Sequence, residues 1–171
     1  LWRKEWNWGL SLNLIKTNDM KKVVIFDLDG TLALIDARRA KAAKANGKLN
    51  WGVFFAPENI QLDKPNIPVI ESFKALQKAG FMVGIFSGRD DVSRKETNDW
   101  LNKYGIEPSF LNMRSNGNYT PDDILKKSWL DDIIELGHDV LNFTHGNGGK
   151  MMFNFIDKDY TWDEFYNDKE F

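Results

Sequence analysis

Short apolar runs alternate along the chain with stretches in which apolar positions recur at helical spacing. Residues 23–26 are an uninterrupted apolar run that ends at an acid, which predicts a strand buried on both faces. Residues 81–86 form a second run and end at a serine. A helical pattern at about 69–79 separates the two runs, and another follows at about 90–104. Strand and helix in this order predict a parallel sheet with right-handed crossovers.

The pattern continues with a short strand at 109–113 and one more helix. Thr120, Pro121 and the two acids that follow are typical of a helix start, with threonine as N-cap and proline in the first turn. We therefore expect this helix to begin at Thr120.

An insert at about 33–60 interrupts the alternation after the first strand. Residues 36–45 are rich in alanine and predict a helix that Asn46 and Gly47 end. Its basic residues could contact a phosphodiester backbone or form a solvated helix face; they are Arg38, Arg39, Lys41, Lys44 and Lys48. Trp51 and Phe55 could stack on a nucleobase or form a small core within the insert.

Residues 1–19 differ from the rest because Trp2, Trp6 and Trp8 lie close together and no signal-peptide core follows. Met20 stands directly before the first strand. We expect residues 1–19 to be a non-native or disordered extension and residues 20–171 to be one domain. The alternative is an aromatic arm that covers part of the core.

Composition excludes several classes of protein. The chain has 171 residues, of which 42% are hydrophobic, and a net charge of −2, so no strong overall charge attracts nucleic acid or membranes. No apolar run approaches the roughly 20 residues of a membrane span. The chain has no cysteine, which is compatible with a cytoplasmic location.

The end of the first strand carries the chemistry. Asp27 and Asp29 flank Leu28, and Gly30 and Thr31 follow. Alternation along an extended chain places both carboxylates on one side, at the sheet edge where open α/β sheets bind ligands. Two carboxylates so close repel each other, which predicts a hard divalent cation, Mg²⁺ above all.

Ser87 ends the second strand and is therefore expected at the same edge as Asp27. Its hydroxyl, together with the Gly88 amide at a predicted helix start, would form a pocket for phosphoryl oxygens.

The apolar strand followed by Asp-Leu-Asp-Gly-Thr resembles the first motif of the haloacid-dehalogenase-like phosphohydrolases. The resemblance implies an α/β, Rossmann-like three-layer fold with a central parallel sheet and a small cap insert. It also implies that Asp27 is the nucleophile, Asp29 the general acid and base, and Ser87 the second motif. Thr31 would orient the loop.

The third motif of these proteins is a lysine, and the helix after Thr120 contains two. At about 100° per residue, Lys126 lies roughly 40° from the mean apolar direction of this helix and Lys127 roughly 140°. Lys126 is therefore predicted to point towards the sheet edge, where it would neutralise phosphate.

Three further segments together resemble the 3′-phosphatase domain of phage polynucleotide kinases: Ser-Gly-Arg-Asp, Leu-Asn-Met-Arg and Pro-Asp-Asp-x-x-Lys. This resemblance implies a Mg²⁺-dependent phosphatase for a 3′ nucleic-acid end or a nucleotide, in end repair. Arg89 and Arg114 would bind substrate phosphate or form structural ion pairs. The alternatives are a phosphatase for free nucleotides or other small phosphoesters, and a weakened module that only binds phosphate or nucleic-acid ends.

The fourth motif departs from the family, because no Asp-Asp-Arg occurs in the chain. The expected strand, residues 139–144, has no acid at its end. A later apolar run, residues 151–156, leads to Asp157, which is the predicted further Mg²⁺ ligand beside Asp27 and Asp29. The alternative is a divergent tail with weaker metal affinity.

Overall fold

The structure is a computed structural model that describes residues 20–147 and 150–155, with side chains up to Thr144. Seven strands and five α-helices lie within these residues. In chain order they are β1 (Lys22–Asp27), β2 (Ala33–Leu34), α1 (Asp36–Ala42), α2 (Trp51–Phe54), β3 (Lys64–Pro65), α3 (Ile67–Lys78), β4 (Met82–Asp90), α4 (Arg94–Lys103), β5 (Leu111–Arg114), α5 (Asp122–Glu135), β6 (Asp139–Asn147) and β7 (Lys150–Phe155). Short 3₁₀ turns occupy Pro57–Leu62 and Asp91–Ser93.

Five strands form the main sheet in the order β5-β4-β1-β6-β7. The first four are parallel, and β7 alone pairs antiparallel to its neighbour. The first strand lies in the middle, so Asp27 stands at the centre of the edge formed by the carboxyl ends.

Alternate residues of β1 face opposite sides of this sheet. Val24 and Phe26 pack with buried residues of α3 and α4, whereas Val23 and Ile25 pack with buried residues of α5. The three-layer α/β fold predicted from the sequence is confirmed. Asp27 continues the set that faces α5.

The strand ends differ from the prediction in two places. The first strand stops at Asp27, and the chain then turns, so the alternation argument does not extend to Asp29. The fourth strand continues through Gly88 to Asp90, and the next α-helix starts only at Arg94. Gly88 therefore lies in a strand and not at a helix start.

The predicted caps also need correction. Pro121 and not Thr120 precedes the first residue of α5, and no side-chain cap bond is present there. The first helix of the insert ends at Ala42, because Ala43 already pairs with Leu49 across a turn.

The insert is closed by its own two strands. Ala33 pairs with Pro65 and Leu34 with Lys64, so the chain leaves and returns at the same point. Between these pairs lie the first two helices and the 3₁₀ turn. We call residues 33–65 the insert; its function as a cap stays a prediction.

Three expectations lie outside the described residues: the extension at 1–19, Asp157, and the tail after residue 155. The described part of β7 runs from Lys150, opposite Asn147, to Phe155, opposite Asn142. Its direction leads away from the edge that carries Asp27.

Within the described ranges, none of the helices combines the length and apolar character that a membrane span needs.

Gly84 allows β4 to pack against the Phe110 ring, because a Cβ at this position would overlap that ring. We expect Gly84→Ala to lower the free energy of unfolding by about 1–3 kcal/mol through overpacking. Urea denaturation measures this change. Gly52→Ala is the matched control, since its Cβ would meet nothing nearer than 3.5 Å, and an equal loss in both variants would contradict the assignment.

Candidate active site

A tight turn follows β1 and fixes the first acidic motif. The Thr31 and Ala33 amides donate to the Leu28 carbonyl over 3.3 and 2.9 Å, and Gly30 has a φ of +82° that favours glycine. Thr31 and Leu28 are fully buried beneath this turn. The turn separates the two carboxylates and directs them to different partners.

Asp27 is paired with the predicted lysine. Lys126 Nζ lies 3.0 Å from Asp27 Oδ1, which also accepts a 2.8 Å hydrogen bond from the Leu28 amide. The predicted inward orientation of Lys126 is confirmed, since the residue is only 5% exposed. Lys127 lies at the surface and pairs with Asp131.

Asp122 holds the lysine from its other side. Its Oδ2 lies 2.8 Å from Lys126 Nζ, one helical turn away, and its Oδ1 lies 3.2 Å from Arg114 Nη2. Gly88 permits this approach, because a Cβ on Gly88 would overlap the Asp122 carboxylate. The sequence indicated Asp122 as a first-turn acid and as part of Pro-Asp-Asp-x-x-Lys, but not as a partner of Lys126.

Asp29 has two arginine partners. Arg38 Nη2 lies 2.7 Å and Arg89 Nε lies 2.9 Å from Asp29 Oδ1. Both arginines are buried, and both also bind the buried Asp63. Asp63 was not predicted, because the sequence around it carries no recognisable motif.

The two acids of the motif therefore differ in their electrostatics. Burial raises the pKa of the Asp27 carboxyl, and the ammonium of Lys126 opposes this shift. Burial alone would also raise the pKa of Asp29, but Arg89 and Arg38 outweigh it and lower that pKa. The carboxylates of Asp27 and Asp122 outweigh burial and raise the pKa of Lys126, which keeps it protonated.

Ser87 and Gly88 lie where β4 passes this site. Strand pairing places Phe86 beside Asp27, so Ser87 is the next residue at the same edge. The Ser87 side chain is buried, and its Oγ accepts a 3.3 Å hydrogen bond from the Arg89 amide. The predicted juxtaposition of Ser87, Lys126 and Asp27 at one edge is consistent with this register.

Three of the four arginines predicted to bind substrate have structural partners. Arg38 and Arg89 are committed to Asp29 and Asp63, so Arg38 does not belong to an exposed basic face as we expected. Arg114 donates to the carbonyl oxygens of Gly88 and Thr120, and so fixes the loop before α5. Arg39 is exposed on α1.

The aromatic residues of the insert form a cluster next to the arginines. Trp51 stacks on Phe55 with ring centroids 5.7 Å apart and an interplanar angle of 19°, and it remains 60% exposed. Phe54 is buried and lies under the Arg38 guanidinium, 4.4 Å from the ring centroid. Contacts therefore run from Trp51 through Phe54 and Arg38 to Asp29.

Asp27 is the candidate metal ligand among the described side chains. No three acidic or histidine side chains among them could hold a metal ion. Mg²⁺ in phosphoryl-transfer sites is commonly bound by one or two carboxylates with phosphate and water, and Asp27 fits this description. The arginines at Asp29 Oδ1 argue against the predicted metal-ligand role of that carboxylate, because they would repel a cation.

Asp-x-Asp-Gly-Thr follows the central strand of the parallel sheet, and a helix lysine pairs with the first acid of this motif. These two features define the class of haloacid-dehalogenase-like phosphohydrolases. Within this class, residues 21–144 match the family model of the polynucleotide kinase PNKP phosphatase domain. The chain belongs to this family.

Solved structures are similar to the chain. A chain in the Pnkp1/Rnl/Hen1 complex is 31% identical with a TM-score of 0.56, covering 72% of this chain and 38% of its own length. The class C acid phosphatase from Bacillus anthracis with tungstate bound has 17% identity and a TM-score of 0.53, over 77% of this chain and 54% of its own, and shares the fold. No curated protein sequence matched.

The buried ion network predicts a pH dependence of stability. Burial outweighs Arg38 and Arg89 and raises the pKa of Asp63 from 3.8 to about 6. A carboxyl that binds its proton more tightly when folded favours the fold below about pH 4, and this contribution is lost as pH rises through about 6. We expect wild type to lose roughly 2 kcal/mol between pH 4 and pH 7 relative to Asp63→Asn.

Urea denaturation of wild type and of Asp63→Asn at pH values from 4 to 7 tests the direction of this change in stability. A wild-type stability that rises with pH relative to Asp63→Asn would contradict it.

Proposed function

We propose that the chain is a Mg²⁺-dependent polynucleotide 3′-phosphatase that works through an aspartyl-phosphate at Asp27. The observation that carries this proposal is the separation of the two acids, Asp27 with Lys126 and Asp29 with Arg38 and Arg89. Two carboxylates in different environments are suited to different roles in one reaction.

Asp27 is the nucleophile in this mechanism. Lys126 opposes the effect of burial on its pKa and so favours the ionised form that attacks phosphorus. An oxygen–phosphorus bond to Asp27 forms as the bond from phosphorus to the 3′ oxygen breaks. The hydrogen bonds from Lys126 and the Leu28 amide fix the carboxylate for attack.

Asp29 transfers the proton in both steps. It donates a proton to the departing 3′ oxygen, and then accepts a proton from the water that attacks the aspartyl-phosphate. The arginines keep its pKa low in the free protein. The negative charge of an arriving phosphate raises that pKa and favours the protonated acid.

Charge that develops on the phosphoryl oxygens needs fixed donors at the same edge. Lys126, Ser87 and the Gly88 amide are our proposed donors, since preorganised charges supply most of the catalysis in phosphoryl transfer. When bound, Mg²⁺ would supply further positive charge, with Asp27 as its acid among the described residues.

The surface of the insert supports a polynucleotide substrate. Arg39, Lys44 and Lys48 are exposed, and the Lys44 amide bonds to the Lys48 carbonyl over 2.8 Å, which places these two lysines at one turn. Cations of this kind bind phosphodiesters, and the exposed Trp51 indole offers a face for base stacking.

One relative agrees with this substrate class. The similar Pnkp1 chain is part of an RNA repair complex, and we propose a nucleic-acid end as the substrate here as well. The cytoplasmic location suggested by composition stays a prediction.

Asp27→Asn tests the nucleophile. The amide cannot attack phosphorus, so we expect turnover of a 3′-phosphorylated oligonucleotide to fall by at least about 10³-fold. Circular dichroism should show an unchanged fold, and Asp131→Asn on the exposed face of α5 is the matched control. Undiminished phosphate release by Asp27→Asn would refute the mechanism.

Trp51→Ala tests the substrate class. Loss of one stacked base predicts that KM for a 3′-phosphorylated oligonucleotide rises about 10-fold, whereas KM for p-nitrophenyl phosphate stays within about 2-fold. Steady-state kinetics measure both, with Leu136→Ala as the control for loss of an exposed apolar side chain. An equal change for the two substrates would favour a phosphatase for small phosphoesters.

A further inference from the structure

Asp63 is a buried acid with no place in the motifs of the sequence. It follows the 3₁₀ turn Pro57–Leu62 and is only 2% exposed. The indole Nε1 of Trp100 donates to its carbonyl oxygen over 2.9 Å. Because Trp100 is itself fully buried in α4, this bond fixes the Asp63 backbone against the core of the domain.

The Asp63 carboxylate binds both arginines of the site. Its Oδ1 accepts a 2.9 Å hydrogen bond from Arg38 Nε, and its Oδ2 accepts a 2.7 Å hydrogen bond from Arg89 Nη2. Each guanidinium thus bridges Asp63 and Asp29, and Arg89 Nη2 donates to both. Guanidinium donors lie in a rigid plane, so fixing one edge of each arginine also fixes the direction of its remaining donors.

Further contacts constrain the same two arginines. Arg38 Nη1 donates to the Phe54 carbonyl over 3.3 Å, and Arg89 Nη1 donates to Thr97 Oγ1 over 3.3 Å. The insert and α4 therefore both hold this network. Apart from Asp29 itself, Asp63 is the one described partner that bonds to both arginines and carries a charge.

Stability gives no sufficient reason for a charge here. Replacing a buried ion pair by apolar residues is often neutral or stabilising, because desolvation offsets the attraction. The raised pKa of Asp63 agrees with a net cost of ionisation at this position. A group that is retained at such a cost is a candidate for a functional role.

We infer that Asp63 is a positioning residue for proton transfer: it orients Arg38 and Arg89, which in turn hold the Asp29 carboxylate towards the leaving 3′ oxygen. This inference rests on the proposed function. Asp63 itself touches no reacting atom, since the arginines lie between it and Asp29.

The effect of a misplaced Asp29 on the rate of reaction depends on the leaving group. A 3′ alkoxide leaves with difficulty and needs the proton from Asp29, whereas p-nitrophenolate is a stable anion that needs little protonation. Misplacing Asp29 should therefore slow release of the first leaving group far more than release of the second. General loss of structure would slow both releases alike.

The experiment compares single-turnover release of these two leaving groups, with enzyme in excess and rapid acid quench. We expect Asp63→Asn to slow release of the oligonucleotide 3′ hydroxyl by at least about 10-fold and release of p-nitrophenolate by less than about 3-fold. Val69→Ala, which removes buried volume in α3 and none of the hydrogen bonds of the network, controls for lost stability and should show no such difference.

Thr97→Val provides a second, milder variant if Asp63→Asn fails to fold. It removes one contact to Arg89 and is expected to give a smaller difference in the same direction, about 3-fold for the oligonucleotide.

The wild type separates the two claims. Wild type without oligonucleotide phosphatase activity would overturn the proposed function. Active wild type with equal slowing of both leaving groups, or no slowing, in the variant that folds would overturn the role of Asp63 alone.

Discussion

The site depends on how the charges of two neighbouring carboxylates are compensated. Asp27 and Asp29 are separated by a single residue at the end of the central strand, yet each has its own cations. Lys126 reaches Asp27 from α5, whereas Arg38 and Arg89 reach Asp29 from the insert and from β4. Two adjacent acids can both remain ionised in a buried place only with such partners.

This separation links the fold to the chemistry. The sheet places α5 on one face and α3 and α4 on the other, and the turn at Gly30 directs Asp29 away from the lysine. The structure gives opposite pKa shifts to Asp27 and Asp29, so the two carboxylates have different proton affinities before substrate arrives. The insert takes part in this separation because its Arg38 pairs with Asp29.

Local pattern was sufficient for the sheet, for the turn after β1 and for the inward lysine, because periodicity records which face of an element is buried. It failed where partners are distant in sequence. Asp63 lies 25 residues from Arg38 and 26 from Arg89, and no local pattern records that pairing. The sequence predicted that Arg38 lies among the exposed basic residues of the insert, whereas the structure buries it against Asp29. The start of α5 was predicted one residue too early, with Thr120 and not Pro121 as the N-cap.

The central claim is that Asp27 carries phosphate during turnover, and trapping this intermediate tests it most directly. An oligonucleotide labelled in its 3′ phosphate would be mixed with the protein, quenched in acid and digested, and the labelled peptide located by mass spectrometry. The account predicts a hydroxylamine-sensitive label on the Asp27 side chain. Rapid phosphate release with label on another residue, or with no covalent label at any time, would contradict it.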